Sequence, residues 1–187
     1  AADGYTLTLL APSYTGGPSM YKLTFDAAND TTGIIQLSRG AFVLAVHRSL
    51  PVKNVKELIA LAKARPGQMS FASGGAGSGI HLSTELLKRM AGIDMMHVPY
   101  KGAGPSLIDL VGGQIQLSMA SVAAFMPHVR TARIRAIAVT GVVRSPVLPE
   151  LPTVAESGVP GYEASTWNGI VVPARTPEAV IARLNRD

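Results

Sequence analysis

The stretch Phe71-Ala-Ser-Gly-Gly-Ala-Gly-Ser-Gly-Ile-His81-Leu82 runs a short apolar strand into a loop of glycines and serines, and a helix begins at its far end. Glycines let the backbone take positive-φ conformations and leave no side chain between the amides and a guest. A helix start directs unpaired N–H groups and roughly half a positive charge at the same point. Such a loop binds anions without a catalytic residue. The same glycines also suit tight turns between packed elements, so chemistry elsewhere in the chain must decide between these readings.

Outward from this loop, strand and helix signals alternate. Tyr5–Leu10, Ile34–Leu37 and Ala41–Val46 read as strands. Asn54 caps an expected helix over 55–64, whose apolar positions Val55, Leu58, Ile59 and Ala62 recur at helical spacing until Pro66-Gly67 stops it. Strand 69–72 and helix 80–91 flank the glycine loop, and Gly92 closes the helix. The unit then repeats: strand 95–98, loop 99–104, helix 105–111; strand 115–119, turn Ala120-Ser121, helix 122–129; strand 134–139. This order implies a doubly wound α/β sheet, in which ligands collect beyond the carboxyl ends of the strands. The loops Ser73–Gly79, Pro99–Gly104 and Ala120-Ser121 are therefore expected at one edge. Pro152 to Gly158 predicts a short helix with proline at its start and glycine at its end, followed by strand 165–172 and a helix from Glu178.

Composition narrows the class. The chain has 187 residues, 47% hydrophobic and 16% charged, enough for a filled core and too apolar for disorder. No apolar run approaches the roughly 18 residues of a membrane span, and no basic-then-apolar signal segment stands at Ala1. With no cysteine, disulfides and thiol chemistry are excluded. The net charge of +5 comes from scattered residues; its one cluster, Arg130, Arg133 and Arg135, has no interleaved aromatics, which argues against nucleic acid.

Catalytic and cofactor motifs are missing. After its last glycine the loop has Ile80-His81 where a P-loop needs Lys-Ser/Thr, and the dinucleotide spacing fails at Ile80 and again at Leu107. No Gly-x-Ser-x-Gly elbow occurs. His47, His81, His97 and His128 lack metal-ligand spacing, and structural roles are expected for His47, His97 and His128. His81, in the first turn after the loop, either contacts a ligand or hydrogen-bonds the loop and holds its shape; the second is favoured. No carboxylate pair suggests acid–base work. The residues point to binding without reaction, with no catalytic residue, metal or cofactor.

Several motifs, in order along the chain, resemble one family: Asp3-Gly-Tyr-Thr-Leu7, Ala72-Ser-Gly-Gly-Ala-Gly-Ser78 with His81-Leu82, Val98-Pro-Tyr-Lys-Gly102, Asp109-Leu-Val-Gly-Gly-Gln114, Arg135-Ala-Ile-Ala-Val-Thr140, Leu151-Pro-Thr-Val-Ala-Glu156, Pro160-Gly-Tyr162 and Thr176-Pro177. The chain is similar to the Bug-type substrate-binding proteins, the extracytoplasmic solute receptors of tripartite tricarboxylate transporters. The resemblance implies a type 2 periplasmic binding protein, a two-domain clamshell with doubly wound mixed sheets. It implies a small organic acid as ligand, membrane permease subunits as partners, a periplasmic location and no stable membrane insertion.

In that family loops of both domains hold the carboxylate through amides, hydroxyls and waters. Ser73, Gly75, Gly77, Ser78 and Gly79 would give one share, with Ser121 nearby, and Ser13, Tyr14 and Thr15, in a loop after the first strand, part of the other. The domains implied are 1–47, a partial first domain with the first hinge strand; 48–164, a second α/β domain; and 165–187, a return hinge strand and first-domain helix. Val43 and Trp167 mark the hinge. The family's first strand–loop–helix units do not precede Ala1 and its last helices do not follow Asp187, so the resemblance implies truncation at both ends and an incomplete first domain. Where relatives often carry aspartate after strand 115–119, this chain has Ala120-Ser121, which implies a different side-chain preference. The alternative function on the same scaffold is a sensor acting on a membrane signalling partner. An enzyme would need a base in the cleft, and His81 is its one candidate.

Overall fold

The computed structural model describes residues 2–186; the expected domain limits at Ala1 and Asp187 lie outside the described residues. In chain order the elements are β1 (Thr8–Leu10), α1 (Pro12–Met20), β2 (Thr31–Ala41), β3 (Val43–His47), α2 (Val55–Ala64), β4 (Ser70–Ser73) and α3 (Gly79–Ala91). They continue with β5 (Met96–Pro99), α4 (Ala103–Gly112), β6 (Leu117–Ala120), α5 (Val122–Arg130), β7 (Ile134–Val139), β8 (Ser165–Pro173) and α6 (Glu178–Arg186). The chain divides into two compact units. One runs to Arg39 and resumes at Thr166; the other is Gly40–Ser165.

Helix α2 shows how local chemistry sets an element. Asn54 accepts from the Glu57 amide at 2.9 Å while the Glu57 carboxylate accepts from the Lys53 amide and the Asn54 side chain. Three donors at the helix start are thus satisfied reciprocally. Val55, Leu58 and Ala62 share one face and are fully buried.

In the larger unit a five-stranded sheet has the order β5-β4-β6-β3-β7. Strand β4 is parallel to β5 and β6, and β3 is antiparallel to β6 and β7. The sheet is therefore mixed, as the resemblance implies. A purely parallel order fails at β3, because β3 is inserted between β6 and β7 and not beside β4, the next strand in sequence. Alternation along β3 separates two cores. Leu44 and Val46 join Leu58 and Ala62 of α2 and Leu87 of α3, while Val43 and Ala45 join Leu110 of α4 and Phe125 of α5. Helix α3 covers one face and α4 and α5 the other, so neighbouring strands β4 and β6 send their chains to opposite faces. That divergence opens a crevice at their carboxyl ends.

In the smaller unit β1, β8 and β2 form a three-stranded sheet in that order, with β1 antiparallel to β8. Two expectations are corrected. Ser13, Tyr14 and Thr15 stand in the first turns of α1 and not in a loop. Pro12 opens that helix at a position where its missing N–H costs nothing. The stretch 152–158 makes hydrogen-bonded turns in place of a helix. Thr153 and Glu156 exchange capping contacts at 2.8 and 3.0 Å, yet Val139 and Thr153 form a parallel bridge, Val139 N–H donating to Pro152 C=O and Val154 N–H to Val139 C=O, that holds the segment to the sheet.

Candidate functional site

The larger unit brings the loops after β4, β5 and β6 to one sheet edge, because those strands run parallel. Helices α3, α4 and α5 start there. Each start has amides with no carbonyl one turn back. Ser78 caps α3, its hydroxyl accepting from the His81 amide, and Ser121 caps α5 by accepting from Ala124. Gly102 caps α4 with no side-chain bond.

The glycine loop is tied down by side chains. Ser73 is fully buried at the end of β4; its hydroxyl donates to the Gly75 carbonyl at 3.0 Å and accepts from the Gly75 amide at 3.1 Å. The same oxygen lies 2.7 Å from Nε2 of His97. The Gly77 amide donates to Nδ1 of His81 at 3.1 Å. Gly75 and Gly77 have φ of +128° and +76°, conformations that side chains rarely adopt. A Cβ on Gly75 would also meet the Tyr100 carbonyl at 3.4 Å. The loop after β5 is stitched on, Tyr100 N–H donating to Ser73 C=O and Gly102 N–H to Gly74 C=O.

Beneath the loop three rings stack: Phe71 and His97 at 4.9 Å between centroids, and His81 and His97 at 4.0 Å with 23° between planes. Phe71 and His97 are register partners on β4 and β5. Burial, then the His81 ring, holds the His97 imidazole below its ordinary value against the pull of Glu85. Beside it, Tyr100 donates to Asp109 of α4 at 2.6 Å; burial and that carboxylate push the phenol up to about 12, so it stays a neutral donor. Among the described residues no cluster of side chains has the makings of a metal site.

The structure thus groups Ser73, Gly75, Gly77, Ser78, Gly79, His81 and Ser121 at one edge of the larger unit. Ser13, Tyr14 and Thr15 belong to the smaller unit, where Tyr14 bonds the Thr31 hydroxyl at 3.1 Å and Thr15 the Pro12 carbonyl at 2.9 Å. Val43 lies buried inside the five-stranded sheet, and Trp167 sits in β8 just past the division at Ser165 and Thr166. Sequence reasoning gave His97 a structural role only. Its contact with Ser73 spans 24 positions, and the one available signal was the parallel pairing of the two strands flanking the helix.

Comparison with known proteins adds the family. Residues 1–187 match the model of the tripartite tricarboxylate transporter family receptor, TctC. Protein BugT of Bordetella pertussis is 36% identical over all of this chain and 58% of its own length. A solved structure of R. palustris Rpa4515 with adipate superposes with a TM-score of 0.95 at 39% identity, covering 100% of this chain and 63% of that one. MatC from Rhodopseudomonas palustris with bound malate gives 0.91 at 30%, covering 100% and 64%. The chain therefore spans somewhat more than half the length of the relatives it matches. With a glycine loop set at a sheet edge where three helices begin, and likeness along its whole length, the chain belongs to the TctC family of tripartite tricarboxylate transporter receptors.

Proposed function

We propose that this protein is a periplasmic receptor that captures a small dicarboxylate and delivers it to the membrane subunits of a tripartite transporter. The observation that carries this reading is the convergence of the α3, α4 and α5 starts on a glycine loop whose shape is set by its own serine and histidine contacts. A carboxylate there would take hydrogen bonds from the loop and the first turn of α3, with Ser78, Gly79 and Ser121 at its rim. The bound acids of two relatives, adipate and malate, are both flexible dicarboxylates, which supports that class.

Magnitudes are sufficient. Charge-assisted hydrogen bonds contribute about 1.5–3 kcal/mol each and a helix start about 0.3–1. Several of them, less the cost of association, reach the ~8 kcal/mol of micromolar binding. The test is a thermal-shift and calorimetry series with malate, adipate, a monocarboxylate and a neutral diamide of matching length. A ligand at a hundredfold excess over Kd stabilises by about 2.7 kcal/mol. The diacids should raise Tm and the diamide should not; equal responses to acid and amide, or none at all, would end the receptor reading.

A further inference from the structure

The two histidines under the glycine loop do more than fill space. Their nitrogens meet the loop at two separate points, Gly77 through His81 and Ser73 through His97. Ser73 has a single hydroxyl proton, which goes to the Gly75 carbonyl while the oxygen accepts from the Gly75 amide. His97 Nε2 must then supply the proton of its 2.7 Å bond. His81 plays the opposite part: its Nδ1 takes a proton bond from the Gly77 amide, so its own proton sits on Nε2. We propose that His81 and His97 are a positioning pair: one donates to the loop and the other accepts from it, and together they hold in place the loop that would face the anion. The affinity part of this inference rests on the receptor reading; the loop-ordering part does not.

The arrangement has a sign with respect to protons. A proton on Nδ1 of His81 would set N–H against the Gly77 N–H and release the loop. The rings are 4.0 Å apart, so a second imidazolium would face the first at close range, where like charges repel strongly. The other charged groups around the pair are Glu85 and Lys88 of α3, which bond each other at 2.9 Å. Lys88 also sits 5.4 Å above the Phe71 ring. Strand β4 faces the pair with uncharged Phe71 and Ser73, and the Tyr100 hydroxyl after β5 is committed to Asp109. Acidification therefore loosens the loop. A histidine that touched the ligand directly would do the reverse, since an imidazolium attracts an anion.

The first experiment reads the unsubstituted chain by ¹⁵N NMR at neutral pH. His81 should be the Nε2–H tautomer with an unprotonated Nδ1, and the Gly77 amide should exchange slowly. An Nδ1–H tautomer of His81 would overturn the pairing outright. Substitutions follow in matched sets: His81→Leu and His97→Leu remove each contact, while His81→Asn restores an acceptor and His97→Gln a donor. The Leu variants should speed exchange at Gly75 and Gly77 and weaken malate binding roughly fivefold, the scale of one lost hydrogen bond. The Asn and Gln variants should recover most of both. Malate affinity should fall on acidification, and His81→Leu should flatten that dependence. Leu variants with unchanged exchange and affinity, or binding that tightens on acidification, would overturn the inference. Binding of neither malate nor adipate, with the tautomer and exchange as expected, would instead fell the receptor reading and leave the positioning pair standing.

Discussion

The two compact units differ in how they treat their sheets. In the larger one β4 and β6 are buried at every position and β3 at all but its last, with helices on both faces. In the smaller one β2 buries only Ile34 of its eleven residues, β1 only Leu10, and neither α1 nor α6 buries any residue. Apolar side chains there face solvent, among them Leu9 and Leu37. Stability scales with apolar area removed from water, so the larger unit is the source of most of the folding energy. It also holds the glycine loop, which is thereby mounted on the more deeply buried of the two sheets.

Matched truncations should show the largest contrast. Leu44→Ala in β3, where the side chain is fully buried, should cost about 2–5 kcal/mol by urea unfolding. Leu9→Ala in β1, 65% exposed, should stay within about 0.5. Equal losses would break the comparison. Capping gives a smaller and sharper version. Asn54→Ala removes a working cap from α2 and should cost about 1 kcal/mol. Helix α1 begins after Ala11, in extended backbone with no side-chain cap, so Ala11→Ser should stabilise by some tenths of a kcal/mol. If both changes destabilise equally, α1 is not limited by its missing cap.

The smallest effect is confined to the larger unit and depends on pH. His97 binds its proton less well when folded. Above the ordinary imidazole value of about 6.5 both states are neutral and stability is complete. As pH falls through that value the unfolded chain takes up protons first, so stability declines until the lowered folded value is passed. His97→Gln should remove that part of the acid-side slope, read as the urea midpoint at several pH values. A slope unchanged by the substitution would assign it to other groups.

Legibility followed locality. Helix α2 was readable to its first residue because Asn54 and an apolar stripe lie within one short window. Helix α1 was invisible: Gly16, Gly17 and Pro18 argue against a helix, and no apolar face marks it. The segment 152–158 misled in the other direction, since its capping residues make their contacts while the bridge to Val139 keeps it in turns. At the site, the glycine loop and the alternation of strands and helices sufficed to bring the three loops to one edge. The link from His97 to Ser73 was beyond reach because it depends on which strand lies beside which. The place of β3 was hidden for the same reason.

That place has a consequence for biogenesis. β3 is the first strand of its sheet to be synthesised and is held between β6 and β7, the last two. Until both have emerged, an apolar segment with no protected edge waits unpaired. The local unit β4–α3–β5 can close at once, since its strands are neighbours joined by one helix. The chain therefore builds its glycine loop early and seats its central strand late. In the interval β3 is the surface that a chaperone would shield, or that a second unfinished copy would stick to.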